Sequence, residues 1–211
     1  MKNRMVAVAM AVVVSGLVGT TGAPARAEAR RDGGSDRATV RCAGKTVDTA
    51  AKIRYRTETT IEAPLRTVWK IQTDVERWPS WQKPVLSSKR LDRGPLRSGS
   101  SFRWTTAVPE TALNPATTLV VTSTVRQLQH QECLRWEGPA IGAGLRIDQG
   151  VHVWTFAEIN GRVLVRTEET WRGEQVERDV GFSTEALGGG LETWLTELKT
   201  LAERECDRDR R

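Results

Sequence analysis

The chain has 211 residues, 38% of them apolar and 27% charged, with 32 Lys and Arg against 26 Asp and Glu and a formal net charge of +6. That balance excludes a disordered chain and a multi-spanning membrane protein, and the length fits one domain or two small ones. Eight Trp beside one Tyr and three Phe is the unusual count, and the basic excess implies an acidic partner only if it clusters.

Met1–Ala27 reads as a secretory signal peptide, cleaved after Ala27. Lys2 and Arg4 make a positive start, Met5–Gly19 carries no charge, and Ala25-Arg26-Ala27 is a small-x-small cleavage site. A membrane anchor is the alternative, but Gly16, Gly19, Gly22 and Pro24 dilute the run, so no span is expected in the mature protein. Cleavage removes Lys2, Arg4 and Arg26 and no acidic residue, so half of the +6 belongs to the leader. The remaining Arg and Lys alternate with Asp and Glu without a basic stripe, which argues against nucleic acid. A secreted or extracytoplasmic location puts Cys42, Cys133 and Cys206 where one disulfide forms and one thiol is left over, with three pairings open. Two His without a Cys-x-x-Cys or His-x-x-x-His spacing support no metal site. Phosphate-loop, dinucleotide and nucleophile-elbow signatures are absent, so no cofactor is expected.

Residues 28–51 are polar and read as a flexible N-terminal segment, tied down if anywhere at Cys42. Residues 52–206 show no composition break and read as one domain, followed by a charged tail over 207–211. Ile53–Glu62 is β-prone, with Tyr55, Thr57, Thr59 and Ile61 on one parity. Pro64 suits a helix start, and Leu65, Val68, Trp69 and Gln72 follow at helical spacing. Asp74 should cap a second short helix that ends near Trp78-Pro79. Strand-like runs follow at Val85–Leu91, Ser100–Ala107, Thr117–Leu128, Glu132–Trp136, Leu145–Ile159 and Arg162–Trp171. Ser183–Glu205 places Leu187, Leu191, Trp194, Leu195, Leu198, Leu201 and Ala202 on one helical face. Gly188-Gly189-Gly190 costs that helix roughly 2–3 kcal/mol of propensity, so the triplet is either a helix with room beside it or a loop before a helix at Leu191. One strand, two short helices, six strands and a long helix predict an α+β fold with an antiparallel sheet.

The stretch TIEAPLRTVWKIQTDVERWPSW from Thr60 to Trp81, with Gly99–Trp104, Leu134–Gly138, Val151–Phe156, Thr167–Trp171 and Trp194–Lys199, resembles the START-like (SRPBCC, Bet v 1-like helix-grip) superfamily. It looks closest to the proteins called polyketide cyclase/dehydrase and lipid transport, over about residues 54–204. The resemblance implies a curved antiparallel sheet of about seven strands wrapped around the long C-terminal helix. It also implies a cavity for a hydrophobic small molecule and, if the protein is an enzyme, a cyclase or dehydratase.

Asn160-Gly161 between two β-prone runs predicts a two-residue type I′ hairpin. Facing residues then sum to 321, pairing Ile159 with Arg162, Phe156 with Val165, Trp154 with Thr167 and His152 with Glu169. The parity carrying Trp154, Phe156, Val163 and Val165 is apolar and should be concave. His152 and Glu169 therefore form the candidate catalytic pair, a carboxylate able to fix an imidazole's tautomer for acid–base work, or a hydrogen-bonded pair within the wall. Trp104, Trp136, Trp154, Phe156 and Trp171 are the candidate cavity wall, with at least two of the four Trp expected to be plain core. Arg146 shares the parity, as a ligand-orienting rim or a solvated strand-end charge. Gly190 is the candidate opening in the helix. The functional expectation is an exported protein that binds a polyketide- or lipid-like molecule, cyclising or dehydrating it; the alternative is a carrier or envelope-associated binding protein without chemistry.

Overall fold

The computed structural model describes residues 39–111 and 114–209. The expected leader Met1–Ala27, residues 28–38 and the last two residues of the expected tail lie outside them. The order is β1 (Ile53–Ile61), α1 (Leu65–Thr73), a 3-10 helix Val75–Ser80, β2 (Val85–Arg90), β3 (Ser101–Val108), β4 (Thr117–Gln129), β5 (Cys133–Gly142), β6 (Leu145–Ile159), β7 (Arg162–Arg172), a 3-10 turn Val176–Arg178 and α2 (Val180–Asp209). The strands form one antiparallel sheet in the order β1-β7-β6-β5-β4-β3-β2. Strands β2 to β7 each pair with their sequence neighbour, β1 closes on β7, and the sheet curves around α2 in an α+β helix-grip fold.

The Asn-Gly turn sets the register of the two longest strands. Asn160 and Gly161 have φ of 52° and 75°, the left-handed pair that a type I′ turn requires. His152 stands opposite Glu169, Trp154 opposite Thr167 and Phe156 opposite Val165, as the spacing predicts. Two expectations fail locally. The strand expected to stop at Trp136 runs on to Gly142, because Ala140, Ile141 and Gly142 find partners in β6. Asp74 sits at the expected cap position but its carboxylate makes no cap; its backbone carbonyl accepts from Arg77 N–H instead.

Helix α2 is unbroken through Gly188-Gly189-Gly190. Burial of Leu187, Leu191, Leu195 and Leu198 contributes roughly 1.5–3 kcal/mol each, which outweighs about 3 kcal/mol of lost propensity. Gly188 is where β1 comes closest: a Cβ there would stand 2.7 Å from the Tyr55 ring. The second half of α2 closes one end of the core, with Leu195, Leu198 and Ala202 packed among Trp69, Trp78, Phe102 and Phe156. Trp78, wholly buried, meets Phe102, Trp136 and Trp194 with ring centroids 5.3, 5.9 and 4.9 Å apart.

Residues 39–50 are not the loose lead-in that their polarity predicts. Val40, Cys42 and Val47 are buried against Cys133, Val151 and Val153 on the convex face of the sheet. Cys42 is disulfide-bonded to Cys133, which selects one of the three open pairings, and Cys206 is a free, buried thiol. The strap is also held by polar contacts: Val40 N–H donates to buried Glu168, Asp48 N–H to Thr170 Oγ1, and Arg135 Nε to the Thr46 carbonyl. Among the described residues, no helix is long and apolar enough to cross a membrane.

Candidate functional site

Under the first half of α2 the space between helix and sheet stays open, as a cavity of about 440 Å3. That lies within the range of small-molecule sites. Small residues leave it: Ser183, Ala186 and Gly190 on α2, Gly138 and Ala140 on β5, and Gly150 on β6. A Cβ at Gly190 would meet nothing within 4 Å, so the candidate opening does face free space. Gly138 has a different reason to be glycine, since its Cβ would fall 1.8 Å from the Thr122 carbonyl oxygen of β4.

Trp104, Trp136 and Trp171 line the cavity, and Trp194 joins them from α2. Only one of the four candidate Trp, not two, is plain core. Trp154 is fully buried beside Trp136, with ring centroids 6.4 Å apart, and does not reach the open volume. Phe156 lies one further inward step along β6, under α1, where its ring packs edge-on against Trp69 at 5.3 Å. Both belong to the filled end of the core.

Arg146 is a correction. Gly138 pairs with Gly150, but Ala140 pairs with Ile147, so β6 carries one extra residue between those two pairs. Such a bulge reverses the side-chain parity beyond it. Leu145 and Ile147 therefore face the cavity, while Arg146 turns outward, more than half exposed, and pairs with Asp148. It is a solvated strand-end charge. Leu145 and Ile147 were missed for the same reason; an uninterrupted 15-residue β-prone run carries no mark of its bulge beyond Gln149-Gly150.

His152 and Glu169 meet on the cavity wall. His152 Nδ1 lies 3.0 Å from Glu169 Oε2, with the imidazole side chain 5% exposed and the carboxylate 18%. Trp171 Nε1–H donates to Glu169 Oε1 at 2.8 Å. His152 Nε2 lies 2.7 Å from Thr167 Oγ1, whose hydroxyl is in turn 3.3 Å from the Val153 carbonyl. With a neutral imidazole, Nδ1–H donates to Glu169 and the Thr167 hydroxyl donates to Nε2. With an imidazolium, Nε2–H donates to Thr167 Oγ1, whose hydroxyl in turn donates to the Val153 carbonyl. Either way both ring nitrogens are engaged by the protein. The ring also packs against Trp136 and Trp154, centroids 4.8 and 4.9 Å away.

Among the described residues, no group of three or more His, Cys, Asp or Glu is placed to hold a metal ion. The arrangement can bind an apolar molecule and offer it one ionisable, proton-accepting point, beside neutral polar groups such as Ser123 Oγ and Trp104 Nε1–H that have no partner among the described residues.

Residues 52–203 match the family described as polyketide cyclase / dehydrase and lipid transport. No curated protein matches the chain. Among solved structures, the two-domain aromatase/cyclase StfQ of the steffimycin biosynthetic pathway is similar at 17% identity and a TM-score of 0.54. The match covers 74% of this chain and 46% of StfQ, so this chain spans less than half of that protein. A START superfamily protein from Mycobacterium smegmatis matches at 13% identity and a TM-score of 0.54, over 72% of this chain and 97% of that one. The Zhui aromatase/cyclase of a Streptomyces species gives 13% and 0.54, covering 72% and 93%. At these identities the likeness is one of fold.

Proposed function

Because the chain belongs to the polyketide cyclase / dehydrase and lipid transport family, we propose that it holds a hydrophobic, polyketide- or lipid-like small molecule between α2 and the sheet. The observation that carries this reading is the apolar cavity of about 440 Å3 with a single ionisable pair on its wall. Trp104, Trp136 and Trp194 supply apolar contact, and the absent side chain at Gly190 makes room. Where the ligand is a flexible chain, the walls hold it folded, and the pair moves a proton as it cyclises or loses water. Glu169 is the proton acceptor and His152 its partner. A location outside the cytoplasm is part of the same reading, supported by the basic, apolar leader pattern and by the Cys42–Cys133 disulfide.

Transport without chemistry is the second reading. It is favoured by the engagement of both His152 nitrogens within the wall, which suits a satisfied polar group in a binding surface. Native mass spectrometry of the protein purified from its own producer tests binding: a fraction should carry one extra small-molecule mass. Gly190→Trp should lose that mass while remaining folded, and a ligand-free spectrum from every growth condition counts against the reading. Once the ligand is known, His152→Ala separates the two: a cyclase loses turnover and keeps binding, a carrier changes little.

A further inference from the structure

The wall of the cavity has an uneven chemistry. Of the described residues that line it, His152 and Glu169 are the only ionisable side chains; there is no Lys or Arg. The imidazole has no nitrogen to offer, because Nδ1 meets Glu169 and Nε2 meets Thr167. The carboxylate is different. Its two oxygens have four acceptor sites between them. The protein supplies one donor to each oxygen, Trp171 Nε1–H to Oε1 and His152 to Oε2, and the side chain keeps 18% of its surface open. Gly150 lies beside it, where a Cβ would stand 3.4 Å from Oε1; without that side chain the approach from the cavity is clear.

A carboxylate in an apolar enclosure, sharing one imidazole, selects among head groups. A ligand O–H or N–H completes its unfilled acceptor sites with a charge-assisted hydrogen bond. A ligand carboxylate brings a like charge beside Glu169 on a wall with no Lys or Arg; the unpartnered donors there, Trp104 Nε1–H and Ser123 Oγ–H, are neutral, and His152 is already committed to Glu169. We infer that the cavity takes a hydrophobic molecule presenting an uncharged hydroxyl or N–H donor to Glu169, and that it discriminates against long-chain and aromatic carboxylic acids. A phenolic or alcoholic hydroxyl fits the site; a free fatty acid does not. The inference rests on the ligand-binding reading above and adds to it the class of ligand.

Naphthol, naphthoate and methylnaphthalene form a matched set with the same apolar body and three different ends. Calorimetric titration of the wild-type protein at neutral pH should find naphthol at least about tenfold tighter than either of the others, the size expected for one hydrogen bond to a charged group. Glu169→Leu should erase the advantage of naphthol over methylnaphthalene, and Glu169→Gln should narrow the gap between naphthol and naphthoate. Equal binding of naphthol and naphthoate by the wild type overturns the inference, as does equal binding of naphthol and methylnaphthalene. These comparisons use the unmodified protein and stand whether or not the variants fold. If none of the three binds at all, the ligand-binding reading fails and takes this one with it.

Discussion

A Cβ at Gly188 would stand 2.7 Å from the Tyr55 ring, whereas one at Gly189 or Gly190 would meet nothing within 4 Å. The three consecutive glycines thus carry different constraints. Gly188 allows β1 to approach α2, Gly190 leaves cavity volume, and Gly189 has no contact that requires it. Gly189→Ala should therefore recover helix propensity and stabilise the protein by about 0.5–1 kcal/mol in a denaturant titration. Gly188→Ala should gain nothing or lose stability, since Tyr55 must shift and give up its bond to Glu192. Thr167 is the other informative single residue. It is fully buried and its hydroxyl is the partner of His152 Nε2. Thr167→Val keeps the shape and strands that nitrogen, which should cost about 1–3 kcal/mol in the same measurement. A neutral result would mean that the His152 ring rests on Glu169 alone.

The N-terminal strap is the element whose role composition concealed. Its sequence is polar because only Val40, Cys42 and Val47 need to be apolar to cover a patch three residues wide on β5 and β6. The disulfide that fixes it spans 91 residues. Closing a loop of that length is expected to stabilise by roughly 2–4 kcal/mol, toward the upper end if the unfolded chain is loose. Cys42→Ser with Cys133→Ser should lower the unfolding free energy by that amount in a denaturant titration. It should also raise amide hydrogen exchange at Val40–Asp48, and at Val151 and Val153, while the Trp78 end of the core remains protected. Much of the rest was legible. The long strands, their register and the facing of His152 and Glu169 follow from one Asn-Gly turn and period-two alternation, since those signals are local and strong. The outward turn of Arg146 was not legible, because a bulge is decided by how β5 and β6 twist together and not by either run alone. The continuity of α2 was equally hidden: local propensity argues against it, and only the burial of its leucines against a sheet far away in sequence decides the matter.

Across the whole molecule the charges knit neighbouring elements instead of reaching outward. Arg166–Glu58 and Arg162–Glu62 tie β7 to β1, and Arg172–Asp48 ties β7 to the strap. Exposed pairs of this kind contribute between nothing and about 1 kcal/mol each. Three carboxyls are held more firmly. Desolvation pushes the Asp92 carboxyl up, but hydrogen bonds from the Ser100 hydroxyl, the Arg90 guanidinium and Ser101 N–H together hold it below the usual carboxylate range. Lys52 and then Gly173 N–H lower Glu177, tying the 3-10 turn to the start of β1. Burial raises Glu203 and is overcome by Lys199 and by Glu62 N–H, which join α2 to the end of β1. A carboxyl lowered on folding adds stability that is fully present above its unfolded value, about 3.9 for Asp and 4.3 for Glu, and loses it as pH falls through the folded value. Stability from these groups should therefore be level above about pH 5 and decline in the acid range below it. Tyr55 is raised by its hydrogen bond to Glu192, with burial adding to it, so its contribution is present below its ordinary value and lost only in strong alkali. Urea titrations from pH 7 down to about pH 2.5 should trace the acid decline, and Asp92→Asn should make it shallower by removing the titrating charge. The same change should lower stability at about pH 7, because the amide NH2 cannot accept the bonds made to one carboxylate oxygen. An Asp92→Asn curve parallel to the wild type would remove Asp92 from this account and leave the decline to Glu177 and Glu203.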